Sequence, residues 1–400
     1  MLISQLILGP PTQLDDSGKT SPPSPVPLLE RFQFLQRQTT LLFVLMGVTI
    51  VAFFLTRSLA GTTRALHQAD AAQWHALGRQ HLAEGDAASA ITALRRAVAG
   101  DRDNRDVQLA LAGAYLAAAQ PGEARDVLLE IRGRLPDDPE VNFRLARLEA
   151  AGGQPEEAIR FYQAALLGLW GQQQLEQRRQ LRIEFVEFLL DHEFPSRALS
   201  ESLLLDGEMP ADAASHVRLG EFLLRAGDPG RALLQFEAAL AFERRNPDAL
   251  ARAGEAAFQA GSFRQAHRYL RQVPGDPRAR GLLPVTELIV ALDPLLPGLA
   301  STERHRRVAT AARRLDTELA ACRATFCERA DTRCAQAEAL AREVSATRAV
   351  LRKRSRGDDP VDPGLAIVAD LAARTAALCG GDAPIFRALA LIAAQHGAAP

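Results

Sequence analysis

The chain has 400 residues, with 48 acidic against 47 basic side chains, which excludes a global charge that would recruit nucleic acid. Apolar residues make up 47% of the sequence and aromatic residues only 6%, so the bulk of the chain can form a core but is a poor match to a β-sandwich or barrel. The abundance of Ala, Leu and Arg favours helices, and we expect an all-α fold. Among the basic residues only Lys19 and Lys353 are lysine, which points to a GC-rich, bacterial genome.

Residues 1–38 are predicted to form a Pro-rich tail that ends in a short interfacial helix. Six prolines fall within 9–27, together with Ser and Gly, which is typical of an extended, disordered segment. The residues after this segment carry apolar side chains at helical spacing, which predicts a short interfacial helix. These side chains are Leu28, Leu29, Phe32 and Leu35.

Residues 39–56 read TTLLFVLMGVTIVAFFLT, which is 18 residues without a charge between Arg37 and Arg57. They correspond to about 27 Å of helix, close to a hydrocarbon core of roughly 30 Å. An uncleaved single-pass transmembrane helix is favoured over a buried core helix, and over a cleaved signal peptide because 38 residues precede it. Arginines are equally frequent on the two sides of the segment, so positive charge does not set its orientation. The short tail before it and the large body after it favour export of the body. We expect a bacterial inner-membrane protein with a periplasmic body after a linker at 57–70.

Six alanines in 71–280 occupy the same position of a repeating local sequence pattern. They are separated by 34, 34, 40, 34 and 34 positions and are Ala90, Ala124, Ala158, Ala198, Ala232 and Ala266. Apolar residues recur four and seven positions after each alanine, and mostly small residues recur twelve positions before it. Glycine fills four of the six places five positions before the alanine.

This pattern predicts six units of two helices each, broken by a turn at the glycine, which adopts a left-handed conformation at little cost. Small residues let the two helices of a unit approach closely. No unit can bury its apolar stripe alone, so neighbouring units must stack into one array.

The pattern resembles the tetratricopeptide repeat. In the first unit the residues that match are Trp74, Leu77, Gly78, Ala90, Leu94 and Ala97; in the second they are Leu111, Tyr115, Ala124, Leu128 and Pro136; in the fifth they are Leu219, Gly220, Ala232, Phe236 and Ala239. The fourth unit departs most, at Val186 and Ser202. The resemblance implies a right-handed superhelical α-solenoid of about six repeats whose inner groove binds peptides or partner helices.

Six extra residues separate the third and fourth units, in a stretch that contains Gly171, Gln172, Gln173, Gln174 and Gln177. We expect a lengthened first helix of unit four. This helix is either a solvated extension or a local change in the superhelix that serves a partner.

Residues 281–400 are predicted to form a helical hairpin followed by capping helices. The stretch from Leu299 to Arg356 contains no Gly or Pro, and one rod of that length would be long for a domain, so a turn is expected near 326–332. The segment 384–397 resembles the first half of one more repeat, and an unpaired final helix would cover the open end of the array.

Neither the cysteines nor the histidines predict a catalytic or metal centre. The four cysteines, Cys322, Cys327, Cys334 and Cys379, form no C-x-x-C pair, and a local disulfide needs the predicted hairpin; buried free thiols are the alternative. The eight histidines form no H-E-x-x-H motif, and nucleotide-binding loops and serine elbows are absent from the sequence. We therefore expect no cofactor, no metal and no enzymatic activity.

The predicted partner-binding groove lies on the first helix of each unit, on the face that the core residues leave free. Its residues are His75, Arg79, Phe143, Arg147, Glu187, Asp191, Glu221, Arg225 and Glu255. Phe143 is expected to be an exposed aromatic anchor. These features predict a non-catalytic, membrane-anchored scaffold that binds a protein or peptide, but no nucleic acid and no small-molecule substrate. A periplasmic assembly chaperone of the cytochrome c maturation or envelope quality-control type is the alternative, and an enzyme or metal protein using the cysteines is a third hypothesis.

Overall fold

The computed structural model describes residues 28–329, 332–354 and 361–397. The regular secondary structure of these residues is helical, without a β-strand, in agreement with the all-α prediction. In chain order the α-helices are α1 (Leu28–Ala83), α2 (Ala87–Gly100), α3 (Arg105–Ala117), α4 (Pro121–Arg134), α5 (Pro139–Ala151), α6 (Pro155–Leu167), α7 (Leu175–Asp191), α8 (Pro195–Asp206), α9 (Ala213–Arg225), α10 (Pro229–Phe242), α11 (Pro247–Gln259), α12 (Phe263–Leu270), α13 (Pro277–Leu292), α14 (Ser301–Glu328), α15 (Cys334–Arg354), α16 (Asp362–Cys379) and α17 (Pro384–Gln395). The chain divides into two compact units, 1–133 and 134–400.

Helix starts in the repeat region have local causes in the sequence. The side chains of Asp138, Asp228 and Asn246 each accept a hydrogen bond from a backbone N–H three residues later, at 2.9–3.0 Å. A proline follows each of them at the first helical position, where no backbone N–H is needed. Cap and proline together fix where α5, α10 and α11 begin.

The turn within each helix pair has the left-handed backbone that the repeat pattern predicts. Gly85, Gly153, Gly227 and Gly261 have φ between +69° and +87°. The other two pairs place Ala119 (φ +56°) and Glu193 (φ +62°) at the same position. The geometry of the repeat therefore prevails over residue preference in two of six turns, although the left-handed region disfavours a side chain.

Close approach of the two helices in a pair explains the small residues. A Cβ added to Gly220 would lie 2.6 Å from the ring of Phe236, and one added to Gly254 would lie 2.5 Å from Leu270. Both partner side chains are fully buried, so neither can move out of the way into solvent. The same contact forms between Gly78 and Leu94.

The change Gly220→Ala is expected to lower the free energy of unfolding by about 1–3 kcal/mol, the cost of overpacking a filled core. Gly230→Ala is the matched control, because the added Cβ would meet only Asp228 Oδ1, at 3.7 Å. Urea unfolding followed by circular dichroism measures both. Equal stability of the Gly220→Ala variant and the wild type would show that α9 and α10 do not meet as described.

Helix α1 runs through both the predicted anchor and the predicted linker, so the linker at 57–70 is helical. Within the described residues, no helix combines the length and the apolar character needed to cross a membrane. On this finding the predicted transmembrane helix at 39–56 is wrong, and so is the single-pass inner-membrane location with a periplasmic body. The uncharged run of 18 residues makes up only about a third of the 56-residue helix α1, and the rest of that helix carries charged and polar residues. The predicted disordered segment 9–27 lies outside the described residues.

The last five helices form the C-terminal module. Helices α14 and α15 pack as neighbours, and α17 packs against α13. Two disulfides hold the module: Cys327–Cys334 joins the ends of α14 and α15, and Cys322–Cys379 joins α14 to α16. The alternative of buried free thiols is therefore wrong.

Candidate functional site

The predicted partner-binding face in residues 134–400 lies on the first helices of successive units, α5, α7, α9 and α11. An ion pair joins each of these helices to the next, and a further pair joins α11 to α13. The pairs, with their nitrogen-to-oxygen distances, are Arg147 with Glu184 (2.8 Å), Arg218 with Glu187 (2.9 Å), Arg225 with Asp191 (2.7 Å), Arg252 with Glu221 (3.2 Å) and Arg278 with Glu255 (3.1 Å). We call this series the ion-pair ladder. The acidic residues of the predicted face, Glu187, Asp191, Glu221 and Glu255, are thus paired with arginines of neighbouring helices.

Sequence reasoning missed the arginine and glutamate partners in the ladder, although the repeat carries a signal for them. Arg218 stands 31 positions after Glu187. Glu184 stands 37 positions after Arg147, which is the same offset once the six inserted residues are counted. Arg252 also stands 31 positions after Glu221. Comparison of charges at this offset, rather than within one helix, would have found three of the five pairs.

The predicted residues His75 and Arg79 lie in the other compact unit, on α1. His75 is half-buried and Arg79 is exposed. Burial lowers the pKa of His75, the positive charge of Arg79 lowers it further, and Asp106 opposes both. His75 is therefore neutral at pH 7, and of these two predicted residues only Arg79 is positively charged.

Phe143 is half-buried rather than the exposed anchor expected from the sequence. Its ring centroid lies 6.2 Å from that of Tyr162, which in turn stacks on Phe185 at 5.0 Å. The guanidinium of Arg147 covers the Phe143 ring at 4.2 Å, and the Tyr162 hydroxyl donates to Glu184 at 2.8 Å. Burial raises the pKa of Tyr162, and its bond to Glu184 raises it further. Phe143 is thus the outermost ring of an aromatic core.

Phe143 and Arg147 also line a cleft of about 440 Å³, which we call the α5–α7 cleft. Its walls come from α5, α7, the connection between α6 and α7, and one arginine of α9. The lining residues are Glu140, Phe143, Arg147, Trp170, Glu176, Gln177, Gln180, Leu181, Ile183, Glu184, Glu187 and Arg218. Three of the predicted site residues therefore come together in one cavity, and the inserted segment supplies part of its wall.

The end of α6 and the inserted segment carry exposed apolar side chains close to Trp170 in the sequence. Leu167 is 86% exposed, Leu169 is 85% exposed and Leu175 is 50% exposed. Trp170 is held in place by its indole N–H, which donates to the carbonyl of Ala165 at 3.0 Å. The insertion lengthens α7 to 17 residues, against 13 in α5, α9 and α11. Sequence reasoning noted its glutamines but missed Trp170 and the leucines.

The cysteines do not form a metal site in the described part of the chain. The ligand atoms of Cys327, Cys334 and Glu338 lie within 4.8 Å of one another, as metal ligands would. Both sulfurs are joined in a disulfide, however, so no thiolate remains to bind a cation. The arrangement stabilises the hairpin instead.

Comparison with known proteins agrees with the helix pairs seen in the structure. Residues 81–142 and 207–283 match the sequence model of the tetratricopeptide repeat. No curated protein sequence matches the chain.

Solved structures similar to this chain include tetratricopeptide-repeat proteins. PilF of Pseudomonas aeruginosa is 16% identical, with 54% of this chain and 96% of that chain covered and a TM-score of 0.37. PilW, a type IV pilus biogenesis factor, is 16% identical, with 53% and 98% covered and a TM-score of 0.35. YrrB, described as having an unusual peptide-binding site, is 16% identical, with 46% and 91% covered and a TM-score of 0.37. At this similarity the three structures carry no argument about what this chain binds. The repeat columns, the helix pairs and the sequence match agree that residues 81–142 and 207–283 of this chain form tetratricopeptide repeats.

Proposed function

We propose that the chain is a non-catalytic scaffold that binds a protein partner, and that an apolar segment of the partner occupies the α5–α7 cleft. The observation that supports this most is the pair of aromatic walls, Phe143 on α5 and Trp170 on the insertion. Aromatic side chains at the centre of an interface commonly contribute most of its binding free energy. The exposed leucines Leu167 and Leu169, next to Trp170 in the sequence, offer further apolar area.

Charge in the cleft favours an apolar occupant over a charged one. Glu184 bonds Arg147 and Tyr162, and Glu187 bonds Arg218. The other two lining carboxylates are also paired, each with an arginine of its own helix. A charged peptide would have to break these pairs, whereas an apolar side chain gains free energy by leaving water at about 25 cal/mol per Å² of buried area.

The test is a selection of short random peptides on the immobilised full chain. We expect the enriched peptides to share an aromatic or large aliphatic residue, and Trp170→Ala or Phe143→Ala should weaken their binding by about tenfold or more, as the loss of a buried aromatic contact does. Leu234→Ala is the control for loss of an apolar side chain elsewhere, because Leu234 lies on α10 and is not among the residues that line the cleft.

Three results decide the matter. Binding that falls in both aromatic variants but not in Leu234→Ala supports the cleft. Equal binding by all four proteins, or no enriched peptide at all, contradicts the proposal. Because Phe143 packs on Tyr162, melting curves must show that Phe143→Ala is folded; if it is not, Trp170→Ala alone gives the answer.

A further inference from the structure

The end of the C-terminal hairpin brings two sulfurs and one carboxylate together. Cys327 lies in the last turn of α14, Cys334 is the first residue of α15, and Glu338 follows Cys334 by one helical turn. The sulfur atoms of the two cysteines and a carboxylate oxygen of Glu338 all lie within 4.8 Å of one another. Residues four positions apart share one face of a helix, so α15 itself holds Glu338 beside Cys334. We call these three residues the hairpin cluster.

The carboxylate of Glu338 is available to a ligand. Glu338 is exposed and, within the described ranges of the chain, has no ion-pair or hydrogen-bond partner. Each of the two cysteines is at least partly exposed as well. A cation can therefore reach the hairpin cluster from solvent and bind Glu338 without first displacing an arginine from it.

The donor set of the hairpin cluster fits a zinc-class cation once the sulfurs are free. Zn²⁺ accepts thiolates at about 2.3 Å and carboxylates at about 2.0–2.2 Å, whereas Ca²⁺ and Mg²⁺ take oxygen ligands. These bond lengths place the ligand atoms about 3–4 Å from one another, so a group that already lies within 4.8 Å needs only small side-chain rotations. Three protein ligands leave the fourth tetrahedral position to a water molecule.

The disulfide decides whether the hairpin cluster can bind a cation. While Cys327 and Cys334 are joined, neither offers a thiolate. A dithiol reductant breaks the bond by passing two electrons and two protons to the sulfurs, which become two thiols while the dithiol becomes a disulfide. Zn²⁺ then displaces the two thiol protons to solvent and forms two zinc–sulfur bonds. The cation thus replaces the disulfide as the link between α14 and α15.

We propose that reduction of the Cys327–Cys334 bond converts the hairpin cluster into a binding site for one zinc-class divalent cation. This site is independent of the α5–α7 cleft, so either proposal stands if the other fails. The probe is Co²⁺ alone, titrated into the full chain under an inert atmosphere, once after reduction by a phosphine and once without reduction. We expect one Co²⁺ per reduced chain, with the near-ultraviolet absorption of a cobalt–thiolate bond, and no such absorption in the unreduced chain. Zn²⁺ should then displace the Co²⁺, since tetrahedral sites with thiolates favour zinc.

The variant Cys327→Ser with Cys334→Ser tests which sulfurs bind the cation. It removes both sulfurs of the hairpin cluster and leaves Cys322 and Cys379 in place. After reduction it should therefore lose the cobalt–thiolate absorption completely, although two other thiols are present. Binding that persists in this variant would assign the cation to the second pair of cysteines.

The variant Glu338→Gln tests the third ligand. It keeps both sulfurs and should weaken Co²⁺ binding by about tenfold or more, a loss that even changes next to a metal ligand commonly cause. The matched control is Glu318→Gln, which alters an exposed carboxylate on α14 outside the hairpin cluster. It should change the affinity by less than about twofold, because exposed charges are screened by salt.

Four outcomes would overturn the proposal: no saturable binding by the reduced chain, binding without thiolate absorption, unchanged binding in the double serine variant, or equal losses in the two glutamine variants. If the double serine variant does not fold, Glu338→Gln decides, because it leaves the disulfide intact during folding. Zn²⁺ should also raise the melting temperature of the reduced wild type more than that of the reduced Glu338→Gln variant, since a cation that binds only the folded chain stabilises it.

Discussion

Replacement of Cys322 and Cys379 by alanine is expected to lower the free energy of unfolding of the C-terminal module by about 4 kcal/mol. The bond joins α14 to α16 across 57 positions of chain. A crosslink that closes a loop of this length removes conformational freedom from the unfolded chain, and the loop-entropy relation gives about 4 kcal/mol. Urea unfolding of the full chain under oxidising conditions measures the loss as a lower midpoint.

The second disulfide provides the matched control. Cys327 and Cys334 are only 7 positions apart, so the same relation gives about 2.5 kcal/mol for their replacement by alanine. The two double variants should therefore differ clearly in midpoint. Identical midpoints, or no change in either variant, would contradict the bonding described for α14, α15 and α16.

The change Arg182→Ala is expected to cost about 3–5 kcal/mol, the range for removal of one partner from a buried ion pair. Arg182 lies on α7 and is only 5% exposed. Its guanidinium donates to Glu201 at 2.5 Å and to Glu208 at 3.2 Å, which ties α7 to α8 and to the turn after α8. Loss of the cation removes the ion pair of the largely buried Glu201, whereas Glu208 keeps a second one with Arg178 at 3.3 Å. Thermal melting measures the effect.

A second variant separates charge from packing. Arg182→Met with Glu201→Gln removes the cation and one of the two carboxylates while it keeps most of the buried volume. We expect it to recover most of the lost stability, because well-packed neutral side chains can replace a buried pair. A double variant that is no more stable than Arg182→Ala would show that the ion pair is not the reason for the loss.

The features that the sequence predicted are those set within one repeat. Gly85 and Gly227 mark left-handed turns because any helix pair of this kind must reverse there. Gly220 marks a close contact because its partner, Phe236, belongs to the same unit, at a fixed offset. Such positions recur with the period of the repeat, so one sequence is enough to find them.

The features that the sequence did not predict depend on contacts between units. Glu187 is an ordinary surface acid until α9 brings Arg218 to within 2.9 Å of it. The pairing of Cys322 with Cys379 requires the path of three helices, and four cysteines permit three different pairings. Phe143 is an exception, because its contact with Tyr162 lies within its own unit, on the second helix, whose rotation no spacing rule fixes.

The occupancy of the α5–α7 cleft can be measured most directly by the fluorescence of Trp170. The chain contains two tryptophans, and the variant Trp74→Phe leaves Trp170 as the single reporter on the cleft wall. Titration of this variant with a peptide from the selection should shift the Trp170 emission to shorter wavelength and saturate at the affinity measured by calorimetry, because the peptide removes the indole from water. Peptide binding at full affinity with no change in Trp170 emission would contradict the cleft as the binding site.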